Sequence, residues 1–253
     1  MYFDLQKASM YKRISAFLFD IIMLGILVAG IGFVLSDTLD FDCYLSSMES
    51  YYDEYEKEYG VKFEITGEEY SAFSEDKKAN YDEAYRALNS DEEVMRAYGI
   101  VVNLTLVIVS ISILLGYLIL EFFLPLFFKN GQTLGKKIFG IGVMHTSGIR
   151  ITPVLLFIRT VLGKYTLETM VPLLIVMMIF FNAVGLTGTI ILGLILLVQL
   201  ILVITTKTNS FIHDILAKTV VVDMASQMIF DDGAALLAYK KELHAEEVSR
   251  SSY

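Results

Sequence analysis

Two carboxylates lie inside long apolar segments of this chain, and they are the residues best placed to do chemistry. Asp20 is the single ionisable side chain of the 22-residue segment 14–35, and Glu121 lies within the apolar run 99–128. A charge at such a position costs at least about 2.5–3.5 kcal/mol on membrane-insertion scales and marks a functional site by default. These acids therefore predict the binding of a cation or a proton.

Three polar side chains occupy matching depths in three apolar segments. Asp20, Glu121 and Gln199 each stand six or seven residues inside the end expected to face the cytoplasm. At a rise of ~1.5 Å per residue, each lies about 10 Å from that membrane edge. Because isolated polar groups are costly in lipid, we expect the three to share one cluster. The cluster would be an ion or proton site, or a polar clamp between helices.

Charged residues near the helix ends form a second candidate group. Arg13 precedes Asp20 by seven residues and lies on nearly the same helix face. Asp214 follows the last apolar segment, and half-buried acids find partners, so it is expected to pair with Arg13 or to cap a helix. Together with Arg159, this pair is predicted to act as a clamp or as the cytoplasmic gate of a transporter.

The elements that must position these residues are membrane helices. The chain has 253 residues, 55% of them hydrophobic, and a mean hydropathy of +0.57. About 20 apolar residues in helical form cross a bilayer, and the apolar segments near this length are 14–35, 99–128, 170–186 and 189–206. The sequence therefore predicts an all-α polytopic membrane protein with four transmembrane helices. The segment 170–186 is short, so a re-entrant or interfacial segment is its alternative.

Basic flanks indicate the topology. The stretch 129–150 carries four bases and no acid, and bases also precede the first apolar segment, so both termini are expected in the cytoplasm. The predicted parts are a cytoplasmic N-terminus with the first transmembrane helix (1–36), an extracytoplasmic insert (37–98), the second transmembrane helix (99–128), a cytoplasmic loop (129–167), the third and fourth transmembrane helices (168–206) and a cytoplasmic tail (207–253).

The cytoplasmic loop is expected to contain two small elements. Residues 138–144 and 149–152 flank a turn and predict a small hairpin. Residues 153–166 place Arg159 among apolar neighbours, which is typical of an interfacial helix with a snorkelling base.

The insert is acidic and rich in tyrosine. Residues 37–98 hold 18 Asp and Glu against 6 Lys and Arg, so the net charge of −9 arises here and the remainder is slightly basic. No basic stripe interleaved with aromatics is present, so nucleic-acid binding is not expected. The pattern predicts a helix ending before Gly60, a second over 67–88 and a third from Asp91 into the next span.

The insert also contains two predicted capping boxes and an aromatic stripe. Thr66 with Glu69, and Ser90 with Glu93, have the spacing of capping boxes. The aromatic residues recur near helical spacing and are expected to pack together as a small core. The alternative is a recognition surface for an extracytoplasmic protein partner or a cation.

The order Arg13, Asp20 and Asp214, separated by spans, resembles the pattern that names the RDD family of membrane proteins. The resemblance covers 1–36 and 99–223, and two further stretches are similar to family motifs: Gly131-Gln132-Thr133-Leu134-Gly135-Lys136, and His213-Asp214 through Thr219. It implies a multi-pass protein of a bacterial plasma membrane. Some family members are described as sodium(potassium)/proton antiporters, so the resemblance implies transport as well.

The motif glycines and lysines also have a plain structural interpretation. Gly131 and Gly135 would permit a turn, and Lys136 and Lys137 would face anionic lipid. The stretch lacks the hydroxyl residue of a phosphate-binding loop. Metal-ligand spacing and catalytic spacing are likewise not found, so no cofactor, metal site or enzyme activity is expected.

Two functions follow from the sequence. The first is a monovalent cation/proton antiporter that uses the intramembrane carboxylates, expected to be a homo-oligomer because four helices leave little room for a pathway. The second is a non-enzymatic scaffold or accessory subunit whose insert binds a partner outside the cell.

Overall fold

A computed structural model describes residues 5–128, 130–180 and 184–251. Within these residues, four helices are long and apolar enough to cross a membrane: Met10–Thr38, Glu92–Phe128, Pro153–Phe180 and Gly185–Thr205. The protein is therefore an all-α polytopic membrane protein, as its apolar segments predict. The predicted segment 170–186 includes residues 181–183, which lie outside the described ranges.

The chain divides into two compact units, which are described separately. One comprises Met1–Val28 with Ile113–Tyr253, and the other comprises Ala29–Ser112.

The candidate spans contain both α-helical and π-helical turns. The first is α1 (Met10–Thr38) and the fourth is α10 (Gly185–Thr205). The second joins α5 (Glu92–Tyr117), a π-helical segment (Leu118–Phe123) and α6 (Leu124–Phe128). The third joins α8 (Pro153–Phe157), a longer π-helical segment (Ile158–Met170) and α9 (Val171–Phe180).

The third span corrects the prediction of a separate interfacial helix. Residues 153–166 and the apolar residues after 170 belong to one helical stretch, Pro153–Phe180. It begins at Thr152, whose hydroxyl accepts from the Leu155 N–H at 3.3 Å, with proline at the first turn. The charged residues of this stretch suggested an interfacial position, but they pair with other parts of the protein and so are tolerated within a span.

Short elements connect the spans and follow them. The helices are α7 (Leu134–Ile138), α11 (Ile212–Leu216) and α12 (Gly233–Ser251), and the strands are β1 (Ile141–His145) and β2 (Thr219–Asp223). The strands pair antiparallel, from Ile141 opposite Asp223 to His145 opposite Thr219.

The predicted hairpin is present but short, and β2 is the longer partner of β1. Across its turn, the His145 N–H donates to the Ile149 carbonyl at 2.9 Å and Met144 forms an isolated antiparallel bridge with Arg150. The ladder partner of β1 is β2. Val143 and Val221 are buried and pack with the core that holds Ala16 and Leu156, whereas Met144, Val220 and Val222 form a second buried cluster. Burial of both faces, rather than proximity in sequence, selects the partner.

The second unit holds the acidic insert. Its helices are α2 (Phe41–Tyr59), α3 (Gly67–Ser71) and α4 (Glu75–Ser90). As predicted, α2 ends at Gly60, whose φ of 63° is the left-handed conformation that glycine adopts readily. The predicted helix 67–88 is two helices, because Ser74 begins a new one by accepting from the Lys77 N–H.

One predicted capping box is present and the other is replaced. Thr66 and Glu69 form the reciprocal box. Before α5, Asp91 takes the place predicted for Ser90: its Oδ1 accepts from the N–H of Glu93 at 2.8 Å and of Val94 at 3.3 Å. A carboxylate at a helix start also interacts favourably with the helix dipole.

The aromatic residues of the insert pack on one another. The Phe63 ring lies 5.9 Å from that of Tyr52 and 6.0 Å from that of Tyr81, both edge-on. Tyr81 stacks on Tyr85 and meets Tyr70 at 5.4 Å. This arrangement is the small aromatic core that the sequence predicts.

Candidate functional site

Asp20 is held by the start of α7. Its Oδ2 accepts from the Thr133 hydroxyl at 2.5 Å, and its Oδ1 accepts from the Gly135 N–H at 2.8 Å. A Cβ on Gly135 would lie 2.4 Å from the Ala16 carbonyl oxygen. The motif glycine is therefore required for the close approach that lets the backbone reach this acid.

Lys136 lies between the two predicted acids. Its Nζ is 3.7 Å from Asp20 Oδ2 and 3.6 Å from Glu121 Oε2, and the residue is 7% exposed. The expectation that Lys136 faces anionic lipid is therefore wrong, because two carboxylates draw it inside. Burial lowers the pKa of Lys136 to about 8, with Glu121 and Asp20 acting against that shift.

Glu121 is surrounded by three bases. It forms ion pairs with Lys164, with Lys136 and, at 4.0 Å, with Arg159, and it is 6% exposed. It lies in the shorter π-helical segment, and its backbone carbonyl accepts from the Thr160 hydroxyl at 2.9 Å. π-helical turns are often found at functional sites, and here one presents the acid to the cluster.

The structure brings together Arg13, Arg159 and Asp214, the residues predicted as a clamp or gate. Arg159 donates to Asp214 Oδ1 from Nε at 3.1 Å and from Nη2 at 2.9 Å. Arg13 Nη2 lies 3.6 Å from Asp214 Oδ2, and the Thr219 hydroxyl donates to Oδ1 at 3.1 Å. These contacts join the start of the first span, the third span and the segment after the fourth.

The charge state of Asp214 follows from its neighbours. Burial acts to raise its pKa, but His213, Arg159 and Arg13 outweigh burial and hold the pKa of Asp214 well below the ordinary value. The buried acid is therefore ionised at neutral pH.

His213 connects the clamp to the third span. Its Nδ1 lies 2.7 Å from Glu168 Oε2, and its backbone N–H donates to Glu168 Oε1 at 2.9 Å. Its Nε2 lies 3.5 Å from Asp214 Oδ2. Burial is the largest effect on His213 and lowers its pKa.

Two further motif residues, Gly131 and Gln132, position the loop. Gly131 has a φ of +60°, and a Cβ there would lie 2.9 Å from the Val143 carbonyl oxygen. The Gln132 side-chain amide donates to the Ile141 carbonyl at 2.9 Å. These two residues fix the loop against β1 and so orient Thr133 and Gly135 toward Asp20.

The charged residues surround one cavity of about 460 Å³. The basic residues that line it are Arg13, Lys136, Arg159 and Lys164, and the acidic ones are Asp20, Glu121, Glu168 and Asp214. The charges are therefore equal in number. Gln199, the third member of the predicted cluster, also lines this cavity, and its Oε1 is buried without a hydrogen-bond partner among the described residues.

Sequence reasoning missed Thr133, Lys164 and Glu168. Lys164 and Glu168 are four residues apart in 153–180, a spacing that puts them on one helix face. The third apolar segment was predicted at 170–186, which left both residues outside it. The pairing of one with Glu121 and the other with His213 requires the folded structure.

Comparison with known proteins gives one match. The model of the RDD family matches residues 7–218, which is most of the chain. The match includes Arg13, Asp20 and Asp214 and ends one residue before Thr219. No curated protein and no solved structure matches the chain.

Proposed function

The chain belongs to the RDD family of membrane proteins, and from that premise we propose that it exchanges a monovalent cation for a proton at Asp20, Glu121 and Lys136. The observation that carries the proposal is that Lys136 lies within 4 Å of both buried carboxylates. Because the two acids share one base, an entering cation would compete with the Lys136 ammonium for the same carboxylate oxygens.

Charge balance supports exchange over uptake of a cation alone. The cavity is lined by equal numbers of acidic and basic side chains. An added positive charge in a poorly hydrated site is costly unless another leaves. Release of one proton for each cation bound keeps the balance, and that coupling defines an antiporter.

The ligand sphere of the cation would be incomplete without water. Among the described residues, no group of three or more His, Cys, Asp or Glu side chains is arranged to hold a metal ion. A monovalent cation at Asp20 and Glu121 would therefore keep part of its hydration, which suits the weak binding that transport requires.

The proposal includes a location and an orientation. Bases precede the first span and follow the second, so we place both termini and the charged cluster on the cytoplasmic side of a bacterial plasma membrane. Four spans leave little room for a complete pathway, so we propose a homo-oligomer. We propose no enzymatic role.

The experiment is ion flux in proteoliposomes that contain a pH-sensitive dye. The wild-type protein should release protons when a sodium or potassium gradient is applied, and Asp20→Asn should abolish that release while the protein still inserts. Asp231→Asn is the matched control, because Asp231 is an exposed acid paired with Arg150 outside the cavity. No flux from wild-type vesicles under either gradient would refute the proposal.

A second candidate is an accessory subunit whose insert binds a protein partner outside the cell. The observation in its favour is that Ala29–Ser112 forms a compact unit with its own aromatic contacts. Replacing residues 40–95 with a short linker should abolish cross-linking to the partner and leave the spans inserted. An unchanged set of cross-linked proteins would refute this candidate.

A further inference from the structure

Exchange of a cation for a proton requires a group in the cavity that releases a proton when the cation binds. Arg13 and Arg159 line the cavity, but an arginine guanidinium keeps its proton in proteins. Neither arginine can therefore be that group. The choice lies among the acids, His213 and the two lysines, Lys136 and Lys164.

The two acids nearest to Lys136 keep other partners whatever its charge. Both oxygens of Asp20 accept hydrogen bonds, one from a hydroxyl group and the other from a backbone N–H. Glu121 forms ion pairs with Lys164 and Arg159. A proton placed on either acid would compete with donors or positive charges that are already in place. Neither acid is therefore well placed to carry the exchanged proton.

The acids farther along the cavity are paired as well. Asp214 forms ion pairs with both arginines, and its pKa is held below the ordinary value. Both oxygens of Glu168 contact His213, one at the ring nitrogen and one at the backbone N–H. Burial lowers the pKa of His213, so the imidazole is mostly neutral at pH 7 and has little proton to release.

Of the two lysines, Lys136 has the weaker contacts with acids. Its ammonium has three N–H donors, and among the described residues Nζ has one hydrogen-bond acceptor, the Thr133 hydroxyl at 3.1 Å. The nearest oxygens of Asp20 and Glu121 lie at 3.7 Å and 3.6 Å, beyond the usual length of a hydrogen bond. Lys164 instead donates directly to Glu121. Loss of a proton from Lys136 therefore breaks no hydrogen bond to a carboxylate.

The surroundings of Lys136 determine how easily that proton is released. The side chain is 9% exposed. Glu121 and Asp20 favour its ammonium form, whereas burial, Lys164 and Arg159 favour the neutral amine. Burial is the largest of these effects and lowers the pKa of Lys136 to about 8. The ammonium therefore predominates at pH 7, and its proton can still be lost near neutral pH.

We infer that Lys136 carries the proton that is exchanged for the cation. The inference rests on the proposed exchange function, because it names the proton carrier of that same site. When a cation enters between Asp20 and Glu121, one N–H bond of the Lys136 ammonium breaks. The proton passes to water and the electron pair stays on Nζ. The site gains one positive charge and loses one, and nothing is oxidised or reduced.

The first test uses the wild-type full-length protein in a mild detergent and a weak buffer with a pH-sensitive dye. Sodium chloride is the probe, and choline chloride is the control for ionic strength. At pH 7 we expect one proton to leave for each sodium ion bound, and fewer at about pH 9, where Lys136 is already mostly neutral. A carboxyl carrier would release its proton near its ordinary pKa of about 4 instead. Sodium binding at pH 7 without proton release would overturn the inference, and this measurement needs no variant to fold.

Lys136→Met removes the exchanged proton and the charge together. In the wild type, competition with one proton should weaken sodium binding about tenfold for each pH unit below about 7. In Lys136→Met, the sodium affinity measured by isothermal titration calorimetry should not change with pH. Lys137→Met is the matched control, because Lys137 is exposed, and it should keep the wild-type pH dependence. The same pH dependence in Lys136→Met would overturn the inference.

A pair of arginine variants distinguishes the two lysines. Lys136→Arg keeps the positive charge but has no proton to release, so proton release should stop and sodium binding should weaken at least tenfold. Lys164→Arg keeps a base beside Glu121 and should still release a proton at pH 7. Loss of proton release in Lys164→Arg but not in Lys136→Arg would assign the proton to Lys164 and overturn the inference.

The flux assay separates this inference from the proposed function. Sodium-driven proton release from wild-type and Lys136→Arg vesicles alike would overturn the inference and leave the exchanger intact. Proton release from Lys136 on sodium binding in detergent, without flux across the membrane under any cation gradient, would refute exchange and support the proton-carrying role of Lys136.

Discussion

Arg159 and Asp214 form a doubly hydrogen-bonded ion pair between the third span and the segment after the fourth. The guanidinium donates from Nε at 3.1 Å and from Nη2 at 2.9 Å to one carboxylate oxygen, and both residues are at most 2% exposed. Arg13 approaches the other oxygen at 3.6 Å. One acid thus compensates two arginines, so its loss affects three elements at once.

Asp214→Asn should destabilise the protein by about 3–5 kcal/mol, because removing one partner of a buried pair leaves the other charge uncompensated. Thermal unfolding in detergent, followed by circular dichroism, measures the effect. Asp231→Asn removes an exposed acid and should change stability by less than about 1 kcal/mol. Similar unfolding temperatures for the two variants would contradict the role given to this pair.

The same acid should give a pH dependence to stability. Its pKa in the folded protein is lowered, so the unfolded chain binds its proton first as the pH falls. Stability supplied by Asp214 is present above the ordinary pKa of about 4 and is lost progressively below it. The wild-type protein should therefore lose more stability between about pH 5 and pH 3 than Asp214→Asn does. Parallel curves would show that Asp214 is not the group responsible.

Gly135→Ala should lower the free energy of unfolding, since the added Cβ would lie 2.4 Å from the Ala16 carbonyl oxygen and 2.9 Å from Asp20 Oδ1. We expect a loss of about 1–3 kcal/mol from overpacking, together with reduced flux. Gly25→Ala is the control, because among the described residues nothing beyond its own stretch of helix lies within 4 Å of the Cβ position. Unfolding temperatures of both variants provide the comparison, and equal values would contradict the close contact between α1 and α7.

Neighbouring lysines should behave differently. Lys136→Met removes a buried base from between two acids and should cost about 1.5–3 kcal/mol, as Glu121 keeps its other basic partners. Lys137 is exposed and lies over the Phe128 ring at 3.8 Å, so Lys137→Met should cost no more than about 1 kcal/mol. The measurement is the midpoint of unfolding in detergent. If both lysines faced lipid, the two variants would be alike.

The start of α5 offers a test of the capping residue. Asp91→Ala removes a carboxylate whose Oδ1 accepts from two backbone N–H groups and whose Oδ2 accepts from the Tyr55 hydroxyl, so protection of the first turn should fall. Ser90→Ala should leave that turn unchanged. Hydrogen exchange with mass spectrometry on the full chain resolves the two effects. Faster exchange in Ser90→Ala alone would restore the capping box that the sequence predicts.

Long-range contacts decide which members of the charged cluster could be predicted from the sequence. The acids Asp20 and Glu121 could be assigned to a shared cluster, because lipid tails provide no hydrogen-bond or ion-pair partner for a carboxylate. Lys136 could not be assigned to it, since lysine beside a glycine turn is equally typical of a lipid-facing loop. The choice depends on α7 reaching Asp20, which stands more than 100 residues earlier in the chain.

The sequence by itself determined that the protein is a helical membrane protein, that its apolar segments carry acids requiring partners, and that Arg13, Asp20 and Asp214 belong to one family pattern. These conclusions depend on local composition and on the cost of a charge in hydrocarbon. Only the tertiary structure decided which base meets which acid, how far the third span extends and which strand pairs with β1. Those outcomes depend on contacts between residues distant in sequence, where several pairings satisfy the same local pattern and burial selects one of them.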